Sequence, residues 1–219
     1  MKKIVFLVSG DGGTLKFLYH AINFLNLNFQ IVGVIADREC QSLQFAEKEN
    51  IFSLKIKYTK ENTEELQKQL FFLNPDLIIT NIHKIIDEKT LGIWENKFIN
   101  VHYSLLPGFA GLIGMDTVKK AKDQNVKFIG STCHLVNKEV DSGMILQQGC
   151  FSVDWENDNF VIDTVFKTAC ICLLEAIDQS QNKSNEFVVL NNFKVQFSPP
   201  ISSNTDVFTN EFWNLIRNS

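Results

Sequence analysis

The strongest constraint on this chain is a change of hydrophobic period that recurs through its first half. "KIVFLVS" at 3–9 is a short apolar run of strand type, and "GTLKFLYHAINFLN" at 13–26 repeats at helical spacing. "FQIVGVIAD" at 29–37 returns to a strand and "ECQSLQFAEKEN" at 39–50 to a helix. The cycle then repeats with "IFSLKIKY" at 51–58, the acid-started helix "KENTEELQKQLFFLN" at 60–74, and "DLIITNI" at 76–82. The last of these is apolar on both faces, as a parallel strand covered by helices on each side must be. The alternation predicts an α/β chain built on a doubly wound, mostly parallel Rossmann-like sheet with helices on both faces.

Beyond it, a short helix near "DEKTLGIWEN", a strand at "KFINVH" and a helix through "DTVKKAKDQ" precede two strands, "KFIGSTCHLV" and "GMILQQGCFSV", that close on each other. A long helix is expected over roughly 158–181. Asn191-Asn192 then joins two apolar runs as a small C-terminal hairpin, followed by a polar tail. No repeat or Pro/Gly/Ser-rich linker interrupts residues 1–190, so one domain over 1–183 is expected, with 184–219 packed on it as hairpin and tail.

Composition excludes several classes. The 219 residues are 45% hydrophobic and 21% charged, which suits a folded domain rather than a disordered one. The net charge of -4 comes from interspersed charges without a basic stripe, so nucleic acid is not an expected partner. The N-terminal "MKKIVFLVSG" resembles a secretion signal only superficially, since its apolar run is short and lacks a cleavage site. No run approaches the ~20 apolar residues that cross a bilayer, so no membrane association is expected. Five cysteines without disulfide spacing fit a reducing cytoplasm, and Cys170 and Cys172 in "TACICLLEAI" read as small core hydrophobes rather than metal ligands. No metal is expected.

Two turns carry chemistry. In "SGDGGTL", Gly10, Gly12 and Gly13 follow the first strand and open a helix, whose N-terminal N–H groups and dipole favour an anion such as phosphate. Asp37 ends the second strand, where a nucleotide-binding sheet places an acid for ribose hydroxyls; it equally suits a helix N-cap. Glycine turn and Asp37 together keep an NAD-dependent oxidoreductase open as a distant alternative. In "FINVHYSLLPGFAG", Asn100 and His102 share one face at the carboxyl end of a strand, where open α/β sheets place their clefts. Asn100 offers a neutral donor and His102 a proton exchangeable near neutral pH, a pair suited to an oxyanion. "EVDSG" supplies Asp141, a carboxylate that could orient the imidazole if folding joins them. The alternative is plain structure: a strand-ending Asn, a satisfied His and a turn Asp. Ser104 has no nucleophile-elbow motif around it, so a Ser-His-Asp hydrolase is not expected.

"NVHYSLLPGFAGL", "GSTCHLVNKEVDSGMILQQ" and "VFLVSGDGGTL" together resemble the folate-dependent formyltransferases, in order from about residue 3 to 180, and within that family the branch acting on glycinamide ribonucleotide. The resemblance implies a formyl group transferred from 10-formyltetrahydrofolate to a primary amine that also bears phosphate, glycinamide ribonucleotide in purine synthesis, with an amino-sugar nucleotide as the alternative acceptor. It implies Asn100, His102 and Asp141 as the catalytic residues and Gly12, Gly13 and Thr14 as the phosphate loop. Folate would lie against His83, Lys84, Ile85, Ile86 and Val140, with Lys60 meeting its glutamate carboxylate. A monomer or homodimer is implied. A deformylase of the same fold would hydrolyse formyl-folate, though such relatives usually carry an N-terminal regulatory domain.

The departures fall on the acceptor side. The family usually has Gly-Ser-Asn at 12–14, proline at Tyr103, a Gly-Leu-His-Thr-His-like run at 111–115, and a ribose-contacting glutamate near Ala169. His134 matches a common family histidine, but its place on a buried strand implies packing.

Overall fold

The computed structural model describes residues 1–59, 61–178 and 184–219. The chain divides into two compact units, one of Met1–Asn100 with Val207–Ser219 and one of Val101–Asp206.

The first unit contains β1 (Lys2–Val8), α1 (Gly13–Phe24), β2 (Phe29–Ala36), α2 (Gln41–Lys48), β3 (Ser53–Lys55), α3 (Glu64–Leu73), β4 (Leu77–Asn81) and α4 (Glu88–Ile93). The start of β5 (Phe98–His102) also belongs to it. These strands pair in parallel in the order β3-β2-β1-β4-β5. Ile4 to Leu7 of β1 and Ile78 and Ile79 of β4 have no exposed surface, the two-sided burial that a central parallel strand needs. Successive strands step outward from β1 in one direction and from β4 in the other. Right-handed crossovers then put α1 and α2 on one face and the later helices on the other, leaving a switch point at the carboxyl ends of β1 and β4. The doubly wound expectation therefore holds, although the third strand is only three residues long.

The second unit holds α5 (Asp116–Asp123), β6 (Phe128–Leu135), β7 (Ile145–Ser152), α6 (Val161–Ile177), β8 (Asn185–Leu190) and β9 (Phe193–Ile201). Its strands are antiparallel in the order β6-β7-β9-β8, so the chain's sheet structure is mixed. Asn191 and Asn192 have φ of 49° and 73°, the two left-handed positions of a tight hairpin, as their pairing in the sequence predicts. The helix α6 is shorter than expected. Phe160, at φ 63°, turns the chain out of helical conformation just before it, and Asp178 is extended just after it. The expected residues 179–181 lie outside the described residues.

Cys170 and Cys172 are wholly buried in α6, where they pack as hydrophobes. The last helix, α7 (Asn210–Asn218), lies in the first unit and buries Phe212, Trp213 and Ile216. Trp213 stacks on Phe17 of α1 at 5.4 Å between ring centres. Among the described residues no helix is long and apolar enough to cross a membrane.

Candidate active site

In the second unit, β5 delivers a buried His102 whose two ring nitrogens face different partners. Nδ1 lies 2.8 Å from Ser104 Oγ. The Ser104 hydroxyl donates its own proton to Gly108 O, so toward the ring it can only accept. Nε2 lies 3.2 Å from Asp141 Oδ2 and 3.2 Å from Leu112 O. Acceptors therefore face both nitrogens, and the form of histidine that satisfies both is the imidazolium.

Asp141 occupies the β6–β7 loop at φ 53°, with 13% of its side chain exposed. Its Oδ2 also accepts from Gly111 N–H at 2.7 Å. Burial alone would raise this carboxyl. The hydrogen bonds and charge of His102, with contributions from His134 and the Gly111 N–H, outweigh burial and hold it well below the usual carboxylate range. The loop's shape rests on Gly143. A Cβ there would stand 1.7 Å from Leu135 O, and the neighbouring Leu135 N–H to Met144 O bond of 2.9 Å closes the loop.

His134, read from the sequence as packing, is more than that. Its Nδ1 faces Leu135 O at 2.8 Å, and its buried Nε2, without a hydrogen-bond partner among the described residues, stands 3.7 Å from Asp141 Oδ1. That distance is too long for a hydrogen bond but within ion-pair range. Ser104, considered only as a nucleophile, is instead the second partner of His102. Its position two residues beyond the histidine, just past the end of β5, is the sequence signal that could have indicated this.

In the first unit, Asn100 donates through Nδ2 to Thr80 O at 2.5 Å, with a longer 3.3 Å contact to Thr80 Oγ1. A carbonyl facing Thr80 O would be repelled, so this amide orientation is set by its surroundings. At the switch point, Asn81 Nδ2 donates to Thr14 Oγ1, and the His83 N–H donates to Ser9 Oγ at 2.8 Å. Thr14 is buried, and Gly12, at φ 75°, begins α1 without a side-chain cap. Gly13 is the first residue of that helix. An exposed carboxylate, Asp11, lies in the same loop.

Asp37 neither caps α2, whose N-cap is Cys40, nor stands free for a ribose. Its Oδ1 accepts from Ser9 Oγ at 2.7 Å and Arg38 Nε at 3.0 Å, and its Oδ2 from Arg38 at 2.8 Å. His83, Lys84 and Ile85 are exposed on the loop after β4, while Ile86 points inward with 5% exposure. Val140, in the second unit, is 52% exposed. Ala169 is wholly buried in α6 and presents nothing to a ribose. Lys60 lies outside the described residues.

Residues 2–169 match the formyl transferase family. The chain belongs to that family. It is 27% identical over 173 residues to the formyltetrahydrofolate deformylase of Bacillus subtilis, a match covering 77% of this chain and 56% of that protein. The chain thus spans about half the length of the deformylases it matches. It is also 32% identical over 155 residues to the phosphoribosylglycinamide formyltransferase of Haemophilus influenzae, covering 68% of this chain and 72% of that one. The crystal structure of phosphoribosylglycinamide formyltransferase from Anaplasma phagocytophilum has a TM-score of 0.74 at 25% identity, covering 92% of this chain and 96% of the other. As a formyl transferase family member, the chain has its Asn-x-His motif at the end of β5 and its Asp-x-Gly motif between β6 and β7.

Proposed function

We propose that this formyl transferase family member moves a formyl group from 10-formyltetrahydrofolate to a primary amine, with glycinamide ribonucleotide as the leading acceptor. The observation that carries the reading is His102 held between Ser104 and an ionised Asp141. Such an imidazolium can turn its Nε2 proton toward an oxygen that becomes negative in the transition state. Asn100 adds a second donor, because one N–H is anchored on Thr80 O while the other makes only the longer contact.

In the reaction, an unprotonated amine attacks the formyl carbon and a C–N bond forms. His102 and Asn100 hold the developing oxyanion, Asp141 holds the imidazole in place, and the amine's proton is relayed past the carboxylate by water. The bond from the formyl carbon to the folate nitrogen then breaks, and that nitrogen takes the proton. In the first unit, the exposed Ile85 offers uncovered apolar surface of the kind a flat heteroaromatic ring occupies, and the exposed Lys84 beside it offers a charge. The residues present therefore fit the folate donor. Gly12, Gly13 and Thr14 would receive the acceptor's phosphate.

A second reading has water as the acceptor, giving hydrolysis of formyl-folate. The Bacillus subtilis relative favours it, as does the Asp11 carboxylate, which opposes an incoming phosphate. An amino-sugar nucleotide remains the alternative amine. One experiment separates these: incubate purified protein with 10-formyltetrahydrofolate and individual amines, and follow tetrahydrofolate release. Formyl transfer predicts release that depends on the amine and disappears in His102→Ala. Release indifferent to the amine assigns hydrolysis, and no release in any mixture overturns both readings.

A further inference from the structure

The loop 83–87, which follows β4, is pinned at both ends by side chains from elsewhere in the first unit. At its start, the His83 N–H is held by Ser9 Oγ, which is itself fixed by Asp37 and the Arg38 fork. At its end stands Tyr58, 3% exposed, from the segment after β3. The Tyr58 hydroxyl accepts from the Asp87 N–H at 2.9 Å and lies 3.1 Å from Asp87 Oδ2 and 3.3 Å from Ile85 O. A phenol has one proton, so it donates to one of those two oxygens at a time. Burial pushes the Tyr58 phenol up to about 12, with the Asp87 N–H acting against burial and the Asp87 charge acting with it. The proton therefore stays on the oxygen at neutral pH. Asp87 is also the cap of α4, with Oδ1 accepting from Thr90 N–H at 2.9 Å.

Between these pins, Ile86 is anchored inward at 5% exposure while Ile85 is 47% exposed. The backbone is thus fixed on the protein side, and the outward residues are presented at set positions. Tyr58 touches the backbone of Ile85 and Asp87 together, flanking the inward anchor.

We propose that Tyr58 is a positioning residue for the formyl donor: its hydroxyl holds the 85–87 backbone in the shape that receives the folate ring. The proposal rests on the reading that loop 83–86 binds the donor. A loop ordered in advance loses less freedom on binding, so the effect belongs in donor affinity rather than in the chemical step.

The test compares wild type with Tyr58→Phe, which removes only the hydroxyl. Steady-state kinetics give kcat, the donor KM and the acceptor KM, calorimetry gives the affinity for tetrahydrofolate, and hydrogen exchange follows the Asp87 amide. The expected result is a donor KM and tetrahydrofolate Kd raised roughly three- to tenfold, the effect of losing one hydrogen bond of ordinary net strength. The acceptor KM and kcat stay within about twofold, and the Asp87 amide exchanges faster. Faster exchange with unchanged donor KM and tetrahydrofolate Kd makes Tyr58 merely structural and overturns the proposal. Wild type that turns over but does not bind tetrahydrofolate overturns the donor reading itself, which is a separate outcome. If Tyr58→Phe does not fold, hydrogen exchange of the wild-type Asp87 amide takes its place. Protection already present in the free protein and little changed by tetrahydrofolate supports a loop ordered in advance by Tyr58, and protection that arises only with tetrahydrofolate bound overturns the proposal.

Discussion

His102 Nε2 stands 3.2 Å from Asp141 Oδ2, while Ser104 closes the opposite side of the ring at 2.8 Å. The carboxylate acts on the ring's charge and on its orientation at once. Asp141→Asn keeps the size and removes the charge, leaving the imidazolium without its anionic partner. Turnover is expected to fall about a hundredfold or more, the usual weight of a positioned acid–base group, with the donor KM little changed. Tetrahydrofolate release is the measurement. Wild-type turnover in Asp141→Asn would end the catalytic assignment.

The same carboxyl links stability to pH. Its folded value is depressed below the ordinary 3.8, so the folded state binds this proton more weakly than the unfolded chain does. The stabilisation is therefore complete above the unfolded value and is lost as pH falls through it toward the folded one. Asn at this position has no proton to gain. The Tm difference between wild type and Asp141→Asn should narrow as pH is lowered from about 5 to about 3. A gap that stays constant across that range would show that Asp141 is not held in its charged form by its neighbours.

Gly143 shapes the loop that carries Asp141. A Cβ at this position would lie 1.7 Å from Leu135 O and 2.8 Å from Leu135 C, and both are backbone atoms that cannot rotate away. Gly143→Ala must open the loop, at a cost at or beyond the ~1–3 kcal/mol typical of overpacking. Activity should fall along with stability because Asp141 moves. Denaturant unfolding and tetrahydrofolate release are measured together, and intact activity in a destabilised variant would separate the loop's shape from the site.

What the sequence revealed, and what it did not, follows from the range of each interaction. β1 and β4 were readable because parallel strands buried on two faces must be continuous apolar runs, and Asn191-Asn192 because few residues tolerate two consecutive left-handed conformations. Asn100, His102 and Asp141 were found as residue types in a motif. Thr80 for Asn100 and Gly111 for Asp141 were not, nor were Ser9 for His83 and Tyr58 for Asp87, because each partner comes from another segment at a separation that no local period records. Asp37 shows the limit from the other side. Its position suited a ribose or a helix cap, and only the fold showed it already engaged by Ser9 and Arg38.

Lys167 tests how the hairpin is fixed to α6. Its side chain, 5% exposed, lies 2.9 Å from Asp163 Oδ2 one helical turn earlier and donates to Asn191 Oδ1 at 2.8 Å. Asn191 in turn donates to Asp163 Oδ2 at 2.7 Å, so helix and hairpin turn share one polar network. Removing only the cation leaves Asp163, whose side chain is 22% exposed, without its positive partner, and one-sided loss from a buried pair typically costs about 3–5 kcal/mol. Lys167→Met is therefore expected near the lower end of that range, because Asp163 retains some solvent. Lys167→Met combined with Asp163→Leu should recover a substantial part of the loss, because no buried charge is left unpaired. Unfolding free energies of the two single variants and the double variant form the cycle. Strict additivity would mean that the ion pair contributes nothing as a pair, and that helix and hairpin are joined by the remaining contacts, among them the β7–β9 ladder and the packing of Phe193 on Phe151, 4.8 Å apart.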